Sequence, residues 1–172
     1  MTHMTQSLEK GTKNEILRTV SKPVKSITPE LKAFALEMIK TMERENGVGL
    51  AAPQVGRNIR MVICMFNPGE KNEVTVPMVN PEFLEMSDET VDGEEGCLSL
   101  PGVWGKVPRS RHVLLRFTNL KNQSQTLELH DFNARVIQHE MDHLNGVLFV
   151  DRAHDIEEAD LKKKHAKSAR HI

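Results

Sequence analysis

The hydrophobic positions of this chain fall into short runs separated by polar, proline- and glycine-containing breaks. The first strong pattern is Leu31, Phe34, Ala35, Met38, Ile39 and Met42, spaced by three and four residues as on one face of an α-helix. Thr28 suits the N-cap, where its hydroxyl can accept from a first-turn amide, and Pro29 suits the first helical position, where no amide is required. Asn46 and Gly47 end the pattern. Residues 59–66 are apolar and β-branched, a buried strand, followed by the turn Asn67-Pro68-Gly69. Residues 74–79 predict a strand closed by Asn80-Pro81, and residues 83–90 a strand with an acidic outer face. Residues 112–118 and 125–130 predict two further strands, joined by a hairpin loop over 119–124. Residues 131–145 are helical in character, with Gly146 as the stop, and residues 147–150 a short apolar strand. Residues 152–172 predict a polar helix, acid-rich first and lysine-rich last, as the helix macrodipole favours. Several strands and one central helix, without regular strand–helix alternation, indicate an α+β fold.

Size and charge narrow the picture. A chain of 172 residues and 19.5 kDa is expected to form one domain over 1–172, with residues 1–12 loosely held. Twenty-three basic and 24 acidic side chains leave a net charge of −1, so no bulk attraction draws the chain to DNA or an anionic membrane. No apolar run approaches the roughly 18–20 residues of a membrane span. Residues 1–20 carry no secretory hydrophobic core and mix Glu9 and Glu15 with lysines, unlike a transit peptide, so the cytoplasm is the expected address. Two cysteines, Cys64 and Cys97, cannot build a disulfide framework. Cys64 sits in an apolar strand and reads as core. Cys97 sits among acids and loop formers, Glu94-Glu95-Gly96-Cys97-Leu98-Ser99-Leu100-Pro101-Gly102, in a segment that reads as irregular and tight.

The chemistry concentrates in His139-Glu140-Met141-Asp142-His143. Residues four apart share a helix face, so His139 and His143 can offer two imidazoles to one metal ion. Glu140 then stands beside the ion, placed to move a proton. Val136, Ile137, Met141 and Leu144 make the helix mostly buried, and burying these polar groups without a role would be costly. A catalytic site needs a third protein ligand and one open position, and Cys97 is a candidate. The stretch Gly47-Val48-Gly49-Leu50-Ala51-Ala52-Pro53-Gln54-Val55-Gly56 lacks the Lys and Ser or Thr of a P-loop. Its glycines serve either positive φ or close approach of the backbone to a ligand, where Gln54 would offer an amide donor. Two other arrangements stay open on the residues alone. A peptidase-like site would take its third ligand from His154, Asp155, Glu157 or Glu158, and a closed structural site would be completed by His112 or His130.

Gly47-Val48-Gly49-Leu50-Ala51-Ala52-Pro53-Gln54, Glu95-Gly96-Cys97-Leu98-Ser99 and Gln138-His139-Glu140-Met141-Asp142-His143, in this order and separation, resemble the three signature motifs of the peptide deformylases. Pro101-Gly102, Val107-Pro108-Arg109 and Leu144-Asn145-Gly146 extend the likeness, which covers roughly residues 14 to 151. The resemblance implies antiparallel sheets packed around a central metal-binding helix, to which the residue patterns add an N-terminal helix and, beyond Asp151 where no family signature runs, a C-terminal helix. It implies a hydrolase that removes the formyl group from nascent polypeptides beginning with formylmethionine. One divalent ion per chain is implied on Cys97, His139 and His143, ferrous iron foremost, with Zn2+, Ni2+ or Co2+ as alternatives. By the same likeness Glu140 is the general base and acid for metal-bound water attacking the formyl carbon. Gln54 and the Leu98 amide steady the oxyanion. Val48, Phe132 and Val136 would line the methionine pocket, and the backbones of Gly49 and Gly96 would hold the substrate in extended form. Glu95 and Arg109 are expected to pair, and Asp142 to support the ligands from behind. Trp104 is placed at the groove's rim. The basic tail, Lys162 to Lys164, Lys167 and Arg170, is either a ribosome contact, as in some family members, or a solvated helix end.

Overall fold

The computed structural model describes residues 6–159 and 171–172. The fold begins with a four-residue helix α1 (Glu15–Arg18), capped by the Asn14 side chain, which accepts from Ile16 and Leu17. Helix α2 (Pro29–Arg44) starts as the sequence predicts, with Thr28 accepting from the Leu31 amide at 3.2 Å and proline in the first turn. Helix α3 (Asp131–Leu144) ends at Gly146, whose φ of 70° suits a residue without a side chain.

Eight strands form two antiparallel sheets. β1 (Gly49–Ala51), β2 (Met61–Phe66), β3 (Val74–Met86), β6 (His112–Thr118) and β7 (Ser124–His130) make one, in the order β1-β2-β3-β6-β7. β4 (Thr90–Cys97), β5 (Leu100–Ser110) and β8 (His154–Glu158) make the other, in the order β4-β5-β8. α3 touches strands of both sheets and shares an apolar core with the larger one, through Ala134, Val136, Ile137, Met141 and Leu144 against Val62, Cys64, Met78, Val113 and Leu115. α2 closes a second core over Leu50, Met61 and Ile63. A third, smaller core joins Leu17, Cys97, Leu100, Val107, Leu148 and Phe149.

Five local expectations change. Asn80-Pro81 does not end a strand; it is an irregularity inside β3, where Asn80 takes φ of 49° and its side-chain amide pairs with the Val24 backbone in both directions, each at 2.8 Å. The segment around Cys97 is tight, as expected, yet it is not a loop: it is a hairpin, β4 against β5, with Gly96 opposite Trp104 and a shift of register between Gly96 and Cys97. Residues 147–150 form no strand. Leu148 leads into a 3-10 turn (Phe149–Asp151), because its apolar side chains pack into the third core and the Asp151 carboxylate accepts the Leu148 amide. The polar helix expected from Arg152 is a strand over His154–Glu158, since the outer edge of β5 offers backbone partners that outweigh helix propensity. The rest of that expected helix, residues 160–170, lies outside the described residues. Of residues 1–12, expected to be loosely held, 1–5 lie outside the described residues, and the stretch is anchored at two points, where the Glu9 amide donates to the Gln54 carbonyl at 2.8 Å and the Gly11 amide to the Ser99 carbonyl at 3.0 Å.

Candidate active site

α3 carries His139 and His143 one turn apart, with ring centroids 5.1 Å from each other. The end of β4 brings Cys97 to the same point. Ligand atoms of Cys97, His139 and His143 all lie within 4.8 Å of one another, and all three residues are buried. Cys97 Sγ stands 3.3 Å from His143 Nε2. His154, Asp155, Glu157 and Glu158 lie instead on β8, and His112 and His130 form a separate, more exposed group with Glu128.

The chemistry of these atoms suits a divalent cation. Among the described residues, His139 Nε2, His143 Nδ1 and both carboxylate oxygens of Glu140 are buried without a hydrogen-bond partner. A fold leaves such groups unpaired only at a cost, unless something else engages them. Burial lowers the pKa of His143 well below the usual histidine range, with His139 adding to it, so the imidazole is neutral and able to ligate. Burial, reinforced by the charge of Glu140, pushes the Cys97 thiol up to about 12, so a thiolate there calls for a cation beside it. One thiolate and two imidazoles match zinc and ferrous iron alike.

Behind Cys97, His139 and His143 lies a buried charge network built on Glu95. His139 Nδ1 lies 2.9 Å from Glu95 Oε2. Arg109 forks onto both carboxylate oxygens, Nε at 2.9 Å and Nη2 at 3.0 Å. Arg135 donates to the same carboxylate at 2.9 Å and to the Val107 carbonyl at 2.7 Å. Arg109 also donates to Asp142 at 2.6 Å, and Asp142 accepts a second fork from Arg152. Burial alone would raise the Glu95 pKa, but the hydrogen bonds from His139 and Arg109 overcome it and hold the carboxyl far below the usual range. An ionised Glu95 accepts a hydrogen bond from His139 Nδ1–H, which leaves the Nε2 lone pair of His139 free to face Cys97 and His143. The expected pairing of Glu95 with Arg109 is present, and Asp142 contributes through Arg109.

Glu140 lies wholly buried beside this cluster. Burial raises its pKa well above the usual carboxylate range, with the charge of Glu95 in the same direction. β1 passes so close that a Cβ on Gly49 would collide with the Glu140 carboxylate, which explains glycine there by space rather than by backbone conformation. In this loop only Gly56 takes a positive φ, 86°. Gln54, in the 3-10 turn Ala52–Val55, is fully buried. Its side-chain oxygen accepts from Ala51 at 2.8 Å, which turns its NH2 toward Cys97 Sγ at 3.6 Å and Ser99 Oγ at 3.2 Å. Leu98 follows Cys97 in the tight turn between β4 and β5. Val48 and Val136 are buried in one apolar cluster. Gly96 lies under the Trp104 ring, which fills the space of the missing side chain. Phe132 is 43% exposed and borders a groove with Val91, Gly93 and Arg135, so it is not buried with Val48 and Val136.

The family model for polypeptide deformylase matches residues 10–159. The chain belongs to that family. This deformylase is 43% identical over 158 residues to the peptide deformylase of Thermotoga neapolitana, covering 90% of this chain and 93% of that one. Its fold is similar to the crystal structure of peptide deformylase from Thermotoga maritima, with a TM-score of 0.81 at 38% identity, over 88% of this chain and 99% of that chain. It is also similar to a class I type b peptide deformylase from Acinetobacter baumannii with Met-Ala-Ser bound, with a TM-score of 0.79 at 39% identity, over 86% and 98% of the two chains. The α+β architecture with antiparallel sheets is shared with these structures. Sequence reasoning missed several partners in this deformylase, among them His139 and Arg135 on Glu95, Arg152 on Asp142 and Ser99 on Gln54. Arg135 carries a usable signal: a guanidinium between Ala134 and Val136 on a buried helix requires a buried carboxylate.

Proposed function

We propose that this deformylase removes the N-formyl group from formylmethionyl nascent polypeptides with one divalent ion held by Cys97, His139 and His143, ferrous iron by family likeness. When bound, the ion supplies a Lewis acid that polarises the formyl oxygen and lowers the pKa of water. Glu140 takes a proton from the water as its oxygen bonds to the formyl carbon. Gln54 Nε2 and the Leu98 amide donate to the formyl oxygen as negative charge builds there. One such donor is typically worth about 2.7–4 kcal/mol of barrier. Glu140 then gives the proton to the amine nitrogen as the C–N bond breaks, releasing formate and a free methionyl N-terminus. A carboxyl whose pKa is raised by burial suits both halves of that exchange.

Val48 and Val136 offer the buried apolar surface that a methionine side chain needs, with Phe132 at the outer end. The backbones of Gly49 and Gly96 would pair with the substrate main chain. The Met-Ala-Ser bound to the Acinetobacter baumannii relative supports a groove for peptides that start with methionine. A reducing cytoplasm, which keeps Cys97 a thiol, is the compartment this chemistry favours. Among the described residues, no helix is long and apolar enough to cross a membrane. The lysine-rich residues that would meet a ribosome fall within 160–170, outside the described residues, and family likeness alone supports that contact.

The observation that carries the proposal is the convergence of a thiol and two imidazoles beside a buried, unpaired carboxylate. Anaerobic purification with elemental analysis and an assay on formyl-Met-Ala tests it. One ion per chain and release of formate are expected, with both lost in Cys97→Ala. A wild-type protein that binds the ion stoichiometrically yet leaves formyl-Met-Ala intact would overturn it.

A further inference from the structure

β1 is the outermost strand of the five-stranded sheet, with β2 on one edge. An open strand edge accepts an extended segment through its backbone groups. Just before β1 that edge is occupied by two residues of the same chain. His171 bridges Gly47 in parallel register, and the Val48 amide donates to the His171 carbonyl at 2.8 Å. The His171 ring packs on Trp104, with centroids 4.8 Å apart and planes inclined by 38°. Trp104 is the cross-strand partner of Gly96 and lies directly over it. Ile172 is 3% exposed and belongs to the apolar cluster that contains Val48 and Val136. One backbone hydrogen bond, one aromatic contact and one buried aliphatic side chain thus seat the pair. They lie between Val48 on one side and Trp104, above Gly96, on the other.

We propose that His171 and Ile172 are an intramolecular ligand of the peptide groove. Ile172 occupies apolar surface meant for the substrate's methionine, His171 occupies the strand edge at Val48, and a substrate binds only when both have left. The inference rests on the assignment of Val48, Val136 and Gly96 to the substrate groove. A segment on the same chain competes at a fixed local concentration, whatever the protein concentration. It reduces apparent affinity by the fraction of molecules whose groove is free and leaves the chemical step untouched.

The test compares the full chain with a variant lacking residues 171–172 and with His171→Ala. If the groove is filled two-thirds of the time, removing the pair lowers KM for formyl-Met-Ala about threefold at constant kcat. Trp104 is the sole tryptophan, so its emission reports the contact with His171 without any need for activity. Deletion and His171→Ala should both shift that emission, and saturating Met-Ala-Ser should shift the full chain toward the deleted form. An emission shift in a protein that never deformylates would sink the enzymatic reading while leaving the seat of His171 intact. Active protein whose KM and emission ignore the deletion would overturn the inference. So would a deletion that lowers the urea midpoint but leaves KM unchanged, since Ile172 would then be core and nothing more.

Discussion

Helices α2 and α3 both place apolar residues at helical spacing, yet they meet opposite surroundings. α2 buries Leu31, Phe34, Ala35, Met38, Thr41 and Met42 and turns Glu30, Lys32, Lys40, Glu43 and Arg44 to water. α3 is buried on all sides from Ala134 to Leu144, including Arg135, Gln138, His139, Glu140, Asp142 and His143. A polar group taken out of water needs a partner. Gln138 finds Ser110 in both directions, at 2.8 and 3.0 Å, Arg135 finds Glu95, and Asp142 finds Arg109 and Arg152. The exceptions are atoms of His139, Glu140 and His143, gathered at one point. α2 stabilises the fold through its apolar face; α3 tolerates unpaired polar atoms where the chemistry is proposed to occur.

Substitutions can break or sharpen that contrast. The largest effect is expected on α3 from Glu140→Gln, which keeps the shape and removes the carboxylate proposed to carry the proton. Turnover of formyl-Met-Ala should fall about 10²–10⁴-fold, while metal content by elemental analysis stays at the wild-type level. Activity near wild type would remove the reason for leaving Glu140 unpaired.

Next comes Glu95→Gln, which leaves Arg109 and Arg135 facing a neutral amide. Breaking a buried ion pair from one side costs about 3–5 kcal/mol, readable by urea unfolding, and loss of the carboxylate behind His139 should weaken metal binding about 10–100-fold. The pH dependence has a definite sign. The folded-state pKa of Glu95 lies below its ordinary 4.5, so its contribution is full above that value and disappears as pH falls through the folded-state pKa. The stability gap between wild type and Glu95→Gln, measured on metal-free protein, should therefore be widest above about pH 5 and narrow on further acidification. A gap that widens on acidification would contradict an ionised Glu95.

On α2 the expectations reverse. Met38→Ala removes a fully buried side chain from the second core and should cost about 2–5 kcal/mol of stability with kcat unchanged. The smallest effect is expected from Lys40→Ala, which removes an exposed i,i+3 pair with Glu37 at 3.3 Å and should shift stability by no more than about 0.5 kcal/mol. A large loss there would mean that α2, too, depends on its charges.

Much of the architecture was legible because its signals are local. Thr28 and Pro29 start α2, Gly146 stops α3, and the hairpin of β6 and β7 follows from two apolar runs around a polar loop. The β4–β5 hairpin was not legible. Glu94, Glu95 and Gly96 look like loop, and only Arg109, Arg135 and His139, distant in the chain, make a buried glutamate acceptable in a strand. β8 was hidden for a similar reason: His154–Glu158 has the composition of a helix start, and the free edge of β5 decides its conformation. Phe132 shares a helix face with Val136 in any sequence reading, yet α3 is covered only from Ala134 onward, so Phe132 remains exposed.

By itself the sequence determined the donor types and their grouping: two imidazoles a helical turn apart, a glutamate beside the first, a cysteine between an acid and a tight turn. Each follows from spacing within its own chain segment, which backbone geometry converts directly into local distance, whereas the meeting of the cysteine with the histidines does not. Only the tertiary structure decided which charges are buried against which, that Glu95 serves one histidine and two arginines at once, and that His171 and Ile172 rest on the edge at Val48. Burial and strand pairing are set by partners far away in sequence, and their energies depend on what excludes water around them.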